Sequence, residues 1–287
     1  MQLTNLGKWK IKVIESGDFK LDGGAMMGSV PKVLWNKTNP SDNLNRIQLA
    51  MRCLLLDDGE NIVLIETGIG DHYSKKFKDM FDINQQDYSL SNTLSDYGYS
   101  ITDITHVILT HLHFDHAGGA VKRESNGDMK PQFPNAKYYI SSKNWEAALN
   151  PNPKDRASYL KENFTCLKDY NVLNILPDNV EILPGINTYV VSGHTSGQQL
   201  VVISGNNKKL VFCSDLIPLK SHLKLPWIMG YDLNGSLTLK EKKVFLDLAA
   251  NNNWILYLYH DPEVIAVEIK EADNYYEIIN EYRRRKN

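Results

Sequence analysis

The stretch His111-Leu112-His113-Phe114-Asp115-His116 places four metal-binding side chains within six residues. It follows directly on residues 104–110, a largely apolar run that predicts a strand. Alternate residues of a strand share a face, and the turn after a strand can fold further side chains back. The four ligand side chains are therefore expected around one point. A single histidine is usually only solvated, but this density of the nitrogen and oxygen ligands that zinc accepts predicts a metal site.

The cluster at 111–116 needs distant partners, because a catalytic metal usually has three protein ligands and one open position. Three candidates each come two or three residues after a predicted strand: His194, Asp215 and His260. The strands that precede them are predicted at 187–191, 210–213 and 254–258. All these candidates share one architectural position, which is typical of a site built from loops at one edge of a sheet.

The rest of the pattern indicates an α/β (α+β) fold, with two sheets packed face to face and helices outside. Further strands are predicted at 9–14, 51–56, 61–66, 137–140 and 199–204, and helices at 142–149, at 239–250 and in part of 72–94. Residues 275–282 fit either a helix or a strand. Residues 22–45 predict a long irregular loop of the kind that covers a binding site. With no linker or repeat, residues 1–287 are expected to form a single domain.

Composition narrows the function classes. The net charge of −2 gives no basic surface, so no nucleic-acid partner is expected. No run approaches the roughly 18 apolar residues of a membrane span, and residues 1–15 lack the apolar core of a signal peptide. Three widely spaced cysteines do not form a disulfide framework. A cytoplasmic protein with a small-molecule substrate and no membrane partner is expected, and a homodimer is left open.

The ordered ligand motifs, from the 111–116 cluster to His260, resemble the metallo-β-lactamase superfamily, and most closely its lactonase-like hydrolases, including acyl-homoserine lactonases. The resemblance covers most of the chain and implies a four-layer αββα sandwich with the metals at the edge of the two sheets. It also implies that two metal ions share one carboxylate, which would be Asp215. The first ion would take His111, His113 and His194, and the second would take Asp115, His116 and His260. Glu66 stands where the family commonly has a supporting Asp.

The resemblance and the ligand set predict a dinuclear hydrolase with two zinc ions, with iron or manganese as alternatives. A metal-bridging hydroxide would open a small ester, lactone or thioester, and Asp115 would carry a proton to the leaving group. A phosphodiester or phosphotriester hydrolase is the alternative within hydrolases. A mononuclear iron dioxygenase is less favoured because it would not need a complete second ligand set. A non-catalytic binding module would be expected to have lost ligands.

Two residues beyond Asp215 are candidate substrate residues. His222 fits a substrate role and simple loop packing equally well, since histidine is a frequent acid–base residue. Tyr231, with its neighbour Asp232, is a candidate contact for an oxyanion or a leaving group. Met26 and Trp35, in the long early loop, would suit an apolar lid, although packing in the core is the stronger expectation for them.

Overall fold

The protein is described by a computed structural model that covers residues 5–86, 88–273 and 275–284. Two sheets of seven strands dominate it. The first sheet contains, in spatial order, β1 (Asn5–Leu6), β2 (Trp9–Asp22), β3 (Arg46–Asp57), β4 (Ile62–Ile65), β5 (His106–Ile108), β8 (Lys137–Ser141) and β9 (Leu173–Leu176). The second contains β10 (Glu181–Leu183), β11 (Ile186–Val191), β12 (Gln198–Gly205), β13 (Lys208–Phe212), β14 (Ile255–Tyr257), β15 (Val264–Ala272) and β16 (Tyr275–Arg283).

The remaining elements are short, apart from one long helix. Strands β6 (Val121–Arg123) and β7 (Met129–Pro131) form a small hairpin. The α-helices are α1 (Gly23–Met27), α2 (Lys32–Trp35), α3 (Lys75–Met80), α4 (Leu90–Asp96), α5 (Phe114–Ala117), α6 (Ser142–Leu149), α7 (Thr165–Asp169) and α8 (Gly235–Asn251). Single turns of 3₁₀ helix lie at Gly118–Ala120, Lys161–Asn163, Ser214–Leu216 and Lys220–Leu223. None of the described helices is both long and apolar enough to cross a membrane.

Two apolar layers hold these elements together. The larger lies between the sheets and takes buried side chains from both, such as Trp9 and Leu54 from the first and Phe212 and Tyr257 from the second. The smaller lies between the second sheet and α8, where Phe245 is buried. The two packed sheets with helices outside confirm the predicted αββα architecture.

Strand direction brings the candidate ligands to one edge. Strands β4 and β5 are parallel neighbours in the first sheet, and β13 and β14 are parallel neighbours in the second. Strand β11 runs in the same direction as β13, because each is antiparallel to β12. The carboxyl ends of these strands meet where Gln199 of β12 donates its backbone N–H to the carbonyl of Thr110, at 2.9 Å. The loops that follow the strands therefore converge at a single junction between the sheets.

Three segments differ from the sequence prediction. The first strand extends to Asp22 rather than ending at Ile14. Residues 22–45 contain the short helices α1 and α2, and the side chain of Asp22 caps α1 by accepting a hydrogen bond from the backbone N–H of Ala25. The ambiguous residues 275–282 lie in a strand, β16, which pairs with β15. Local pattern did not predict β15, because its charged second half weakens the apolar signal of the first.

The turn after the 111–116 cluster presses closely against the turn after β4. A Cβ atom added to Gly118 would lie 2.0 Å from the carbonyl oxygen of Ile69 and 2.6 Å from the hydroxyl of Tyr73. Gly119 donates its backbone N–H to the carbonyl of Gly68 at 2.9 Å. Small residues are thus required at 118 and 119 for this contact to form.

We predict that Gly118→Ala lowers the free energy of unfolding by about 1–3 kcal/mol, since overpacking against a fixed backbone has this cost. Denaturant unfolding of the metal-free protein measures it. Gly235→Ala is the matched control, because its new Cβ would meet only the end of the flexible Ile228 side chain. Equal stability of the Gly118→Ala variant and the parent would contradict the prediction.

Candidate metal centre

Three imidazole nitrogens and one carboxylate oxygen form the first of two candidate ligand sets, called ligand sets below. The Nδ1 atom of His113 lies 3.0 Å from Nε2 of His111 and 3.3 Å from Nε2 of His194. The Oδ2 atom of Asp215 lies 3.2 Å from Nε2 of His194 and 3.8 Å from Nε2 of His111. All four side chains are buried. The structure therefore brings these four predicted ligands together.

The second ligand set lies on the other side of Asp215. The Nε2 atoms of His116 and His260 are 3.2 Å apart. The Oδ2 atom of Asp115 lies 3.7 Å from the first of these nitrogens and 3.5 Å from the second. The Oδ1 atom of Asp215 lies 3.5 Å from Nε2 of His116 and 3.3 Å from Nε2 of His260. One carboxylate thus presents one oxygen to each set.

The donor geometry fits divalent cations. Ligands about 2.1 Å from a tetrahedral metal are about 3.4 Å from one another, and the separations here run from 3.0 to 3.8 Å. A proton can satisfy only one pair of facing nitrogens, yet Nδ1 of His113 faces two other imidazole nitrogens. The buried Oδ1 of Asp215 has no hydrogen-bond partner among the described residues. A bound cation would satisfy these lone pairs.

Outer partners fix the orientation of the rings. Asp232 accepts a hydrogen bond from Nδ1 of His194 at 3.0 Å, and the backbone carbonyl of Ala50 accepts one from Nδ1 of His260 at 2.9 Å. The hydroxyl of Thr110 lies 3.0 Å from Nδ1 of His111. Contacts of this kind select the tautomer that leaves Nε2 free for a metal. Sequence reasoning named Asp232 only as a substrate contact, and no local signal identifies its partnership with His194.

Two strained residues sit at the strand ends beside the site. Glu66, after β4, has a φ of +65°, and Ser214, after β13, has a φ of +46°. Glu66 is fully buried, accepts the backbone N–H of Thr110 at 2.9 Å and lies 3.5 Å from Nδ1 of His116. Residues other than glycine rarely adopt this backbone conformation, and such strain persists where the surrounding structure imposes it. Glu66 therefore contacts the outer nitrogen of His116, the position of a supporting residue.

Burial and neighbouring charges divide the histidines into two classes. Burial and the adjacent histidines lower the pKa of His111 and His113 well below its usual value, so both rings are neutral and keep a lone pair free to bind a metal. Burial alone would also lower the pKa of His116 and His194, but the Asp215 carboxylate raises both. Burial alone would raise the pKa of Asp215, but the charge of His116 and His260 holds it well below its usual range.

A cavity of about 230 Å³ opens onto the ligand sets. Its apolar lining consists of Leu21, Met26, Phe81, Phe114, Ala157 and Met229, and its polar lining beyond the ligands consists of Lys154, Asp155, Ser158 and Tyr231. Burial raises the pKa of Tyr231 to about 12, so its hydroxyl stays a hydrogen-bond donor. The expectation of core packing fits Trp35, which is buried in the main core, whereas Met26 also lines the cavity.

His222 takes a different position from Tyr231. It is buried, and its Nε2 donates a hydrogen bond to the backbone carbonyl of Met26 at 3.0 Å. It is not among the described residues that line the cavity. Burial, together with Lys242, lowers the pKa of His222 to about 3, so the ring is neutral near pH 7. These contacts favour loop packing, and the substrate role of His222 stays a prediction.

Comparisons with known proteins agree with this arrangement. A family model described as the metallo-beta-lactamase superfamily matches residues 51–260. An N-acyl homoserine lactonase of Bacillus cereus is 28% identical over 231 residues, covering 76% of this chain and 84% of that protein. A probable metal-dependent hydrolase of Staphylococcus aureus superposes with a TM-score of 0.90 at 28% identity, covering 99% of this chain and 100% of that one. AidC, a dizinc quorum-quenching lactonase in complex with a product, has a TM-score of 0.78 at 24% identity over 98% and 97% of the two chains, which is a likeness of fold.

We predict that Asp232→Ala weakens metal binding at the first ligand set by about 10–100-fold, the usual effect of removing a partner of a ligating histidine. Competition with a chromophoric chelator measures the affinity. Tyr231→Phe is the matched control, because it changes the adjacent cavity residue and leaves Nδ1 of His194 paired. Unchanged affinity in the Asp232→Ala protein would show that His194 needs no outer partner.

We predict that metal binding near pH 7 releases protons and that the affinity falls as the pH is lowered. Although burial acts against it, the Asp215 carboxylate raises the pKa of His116 well above its usual value, so this ring is protonated in the metal-free protein, and the raised pKa of His194 acts in the same direction. Each proton must leave before its nitrogen can bind metal, which costs about tenfold in affinity per pH unit and per proton displaced. Titration calorimetry in buffers of different ionisation enthalpy measures the release. No release at neutral pH would contradict the assignment of charge.

Proposed function

This chain is a lactonase-like metallo-hydrolase of the metallo-beta-lactamase superfamily, and from that premise we propose that it is a two-metal enzyme that opens a small lactone, ester or thioester. The proposal assigns the first metal to His111, His113 and His194, and the second to Asp115, His116 and His260. Asp215 bridges the two.

The observation that carries the proposal is the division of the Asp215 carboxylate between the two ligand sets, with Oδ2 toward His194 at 3.2 Å and Oδ1 toward His260 at 3.3 Å. A mononuclear iron dioxygenase would need only the first set. The complete second set supports two-metal hydrolysis instead. Each set draws residues from both sheets, which supports treating residues 1–287 as one domain.

The donor set also supports zinc as the metal. Imidazole nitrogens outnumber carboxylates, and none of the candidate ligand groups among the described residues includes a cysteine. Zinc accepts this mixture of nitrogen and oxygen in catalytic sites. Iron or manganese would accept it too, so metal analysis of the purified protein decides between them. About two zinc ions per chain is the expected result.

The reaction divides between the metals and the residues of the chain. Two bound divalent ions would lower the pKa of a coordinated water to about 7 and polarise the substrate carbonyl. Asp115 lines the cavity as well as facing the second set, so its carboxylate can take a proton and pass it to the leaving oxygen. The hydroxyl of Tyr231 lines the same cavity and can donate a hydrogen bond to a substrate oxygen.

The shape and lining of the cavity support a small substrate with an apolar part. Its volume of about 230 Å³ is below the range typical of sites for drug-sized ligands. Met26, Phe81 and Met229 form an apolar wall that suits an acyl chain. Because the Bacillus cereus relative is an N-acyl homoserine lactonase, N-acyl homoserine lactones are the first substrates to test.

We predict that the zinc-loaded protein hydrolyses short N-acyl homoserine lactones with a higher kcat/KM than aryl thioesters or bis-aryl phosphates. A pH-stat assay follows lactone opening through the proton released, and absorbance follows the other two substrate classes. Turnover of the phosphates alone would replace the proposal with the phosphodiester or phosphotriester alternative.

The control for this assay is Asp215→Asn, which removes the charge of the bridge and keeps its shape. Loss of an outer partner of a metal ligand usually costs about 10–100-fold in activity. Loss of the bridging ligand itself should reduce kcat/KM by at least as much. Metal content is measured on the same samples. Parent-level turnover with only one metal retained would contradict a two-metal mechanism.

A further inference from the structure

Arg52 is a fully buried arginine of β3 that reaches across to the loop after His260. Its Nη1 donates to the backbone carbonyl of Asp261 at 2.7 Å and approaches the carbonyl of Val264 at 3.5 Å. Its Nε donates to Oε1 of Glu15 on β2 at 2.9 Å. One guanidinium thus joins two strands of the first sheet to a loop of the second sheet.

The same loop is held at a second point by β3. Ala50 donates its backbone N–H to the carbonyl of His260 at 2.9 Å, and its own carbonyl accepts from Nδ1 of His260 at 2.9 Å. Ala50 and Arg52 are two residues apart on β3. The first sheet therefore holds this loop at three atoms. They are Nδ1 and the carbonyl oxygen of His260 and the carbonyl oxygen of Asp261.

The surroundings of Arg52 are built to keep its charge buried. Glu15 also lies 3.3 Å from Nε of Arg284, which in turn lies 3.3 Å from Asp18 through Nη1. The cluster therefore contains two cations and two carboxylates and has no net charge. Between Glu15 and Asp18 the pairing of β2 with β3 contains an extra residue, a bulge that aims side chains out of the regular alternation.

We propose that Arg52 is a positioning residue for the second metal: its guanidinium fixes the backbone after His260 and so holds Nε2 of His260 toward His116 and Asp115. The inference rests on the proposed two-metal function. This role explains why β3, a strand of mostly apolar residues, has an arginine at a fully buried position. A lysine at this position would keep the charge beside Glu15 but would lack the fork that reaches a second acceptor.

The test measures the binding of Zn²⁺ alone to the Arg52→Met variant. Titration calorimetry gives the affinities, and native mass spectrometry counts the bound ions. We expect the first ion to bind with the parent's affinity and the second to bind about 10–100-fold more weakly, as when an outer partner is lost. His260→Ala serves as the reference for a chain without the second site. Arg52→Lys, which keeps the buried charge, should show the same selective loss in a milder form.

The double variant Glu15→Gln/Arg52→Met separates positioning from simple loss of charge balance. It also removes the carboxylate that faces residue 52, so a defect caused by that carboxylate would disappear. We expect the second site to stay weak in the double variant and to remain strong in Glu15→Gln alone, which keeps the contact with Asp261. Cooperative thermal unfolding of each metal-free variant verifies that it is folded.

Three results would overturn the proposal: parent affinity for both ions in Arg52→Met, recovery of the second site in the double variant, or equal weakening of both sites. The parent titration comes first and addresses the underlying function separately. Binding of only one ion by the parent would remove the two-metal proposal, and this inference with it, before any variant is compared. Two ions in the parent with no selective loss in Arg52→Met would remove this inference alone.

Discussion

The arrangement depends on one buried carboxylate, that of Asp215, which has to face two sets of ligands at once. Removing a charged group from water is costly unless the group is paired, and pairing here comes from histidines on both sides. The position that allows this lies at the junction of the two sheets, because only there can strand ends from both sheets reach the same carboxylate. The geometry of the ligand sets therefore depends directly on how the two sheets pack against each other.

This constraint explains the two strained residues beside the site. Glu66 and Ser214 adopt positive φ values within two residues of the ends of β4 and β13, where the chain has to turn to bring the following residues to the junction. Each is held by the site: Glu66 accepts the N–H of Thr110, and the hydroxyl of Ser214 lies 2.7 Å from that of Thr110 and accepts from the side chain of Gln198 at 2.9 Å. The hydrogen bonds that hold these two strained residues therefore also link the loops of the two sheets beside the ligands.

The candidate ligands could be identified from the sequence because their signal is local: each follows a strand, and four of them lie within one short stretch. The sequence also predicted the sandwich, since the long apolar strands form its core. It could not predict the supports. Asp232 lies 38 residues from His194 and Arg52 lies 209 residues from Asp261, and neither pairing leaves a periodic or compositional trace. The short strands β9 and β10 were missed for a related reason, since three or four half-buried residues give too little pattern.

The same reasoning explains why substrate choice is harder to predict than chemistry. The ligand sets lie at strand ends and are fixed by contacts between the sheets. Most of the cavity wall instead comes from segments outside the sheets, with Met26 in α1 and Met229 and Tyr231 beyond Asp215. Apolar wall residues resemble core residues in a sequence, so nothing marks them as substrate contacts. Changes in these segments can alter the cavity without moving the ligands. Tyr231 is 36% exposed at this cavity, so its side chain has room to adapt to a substrate.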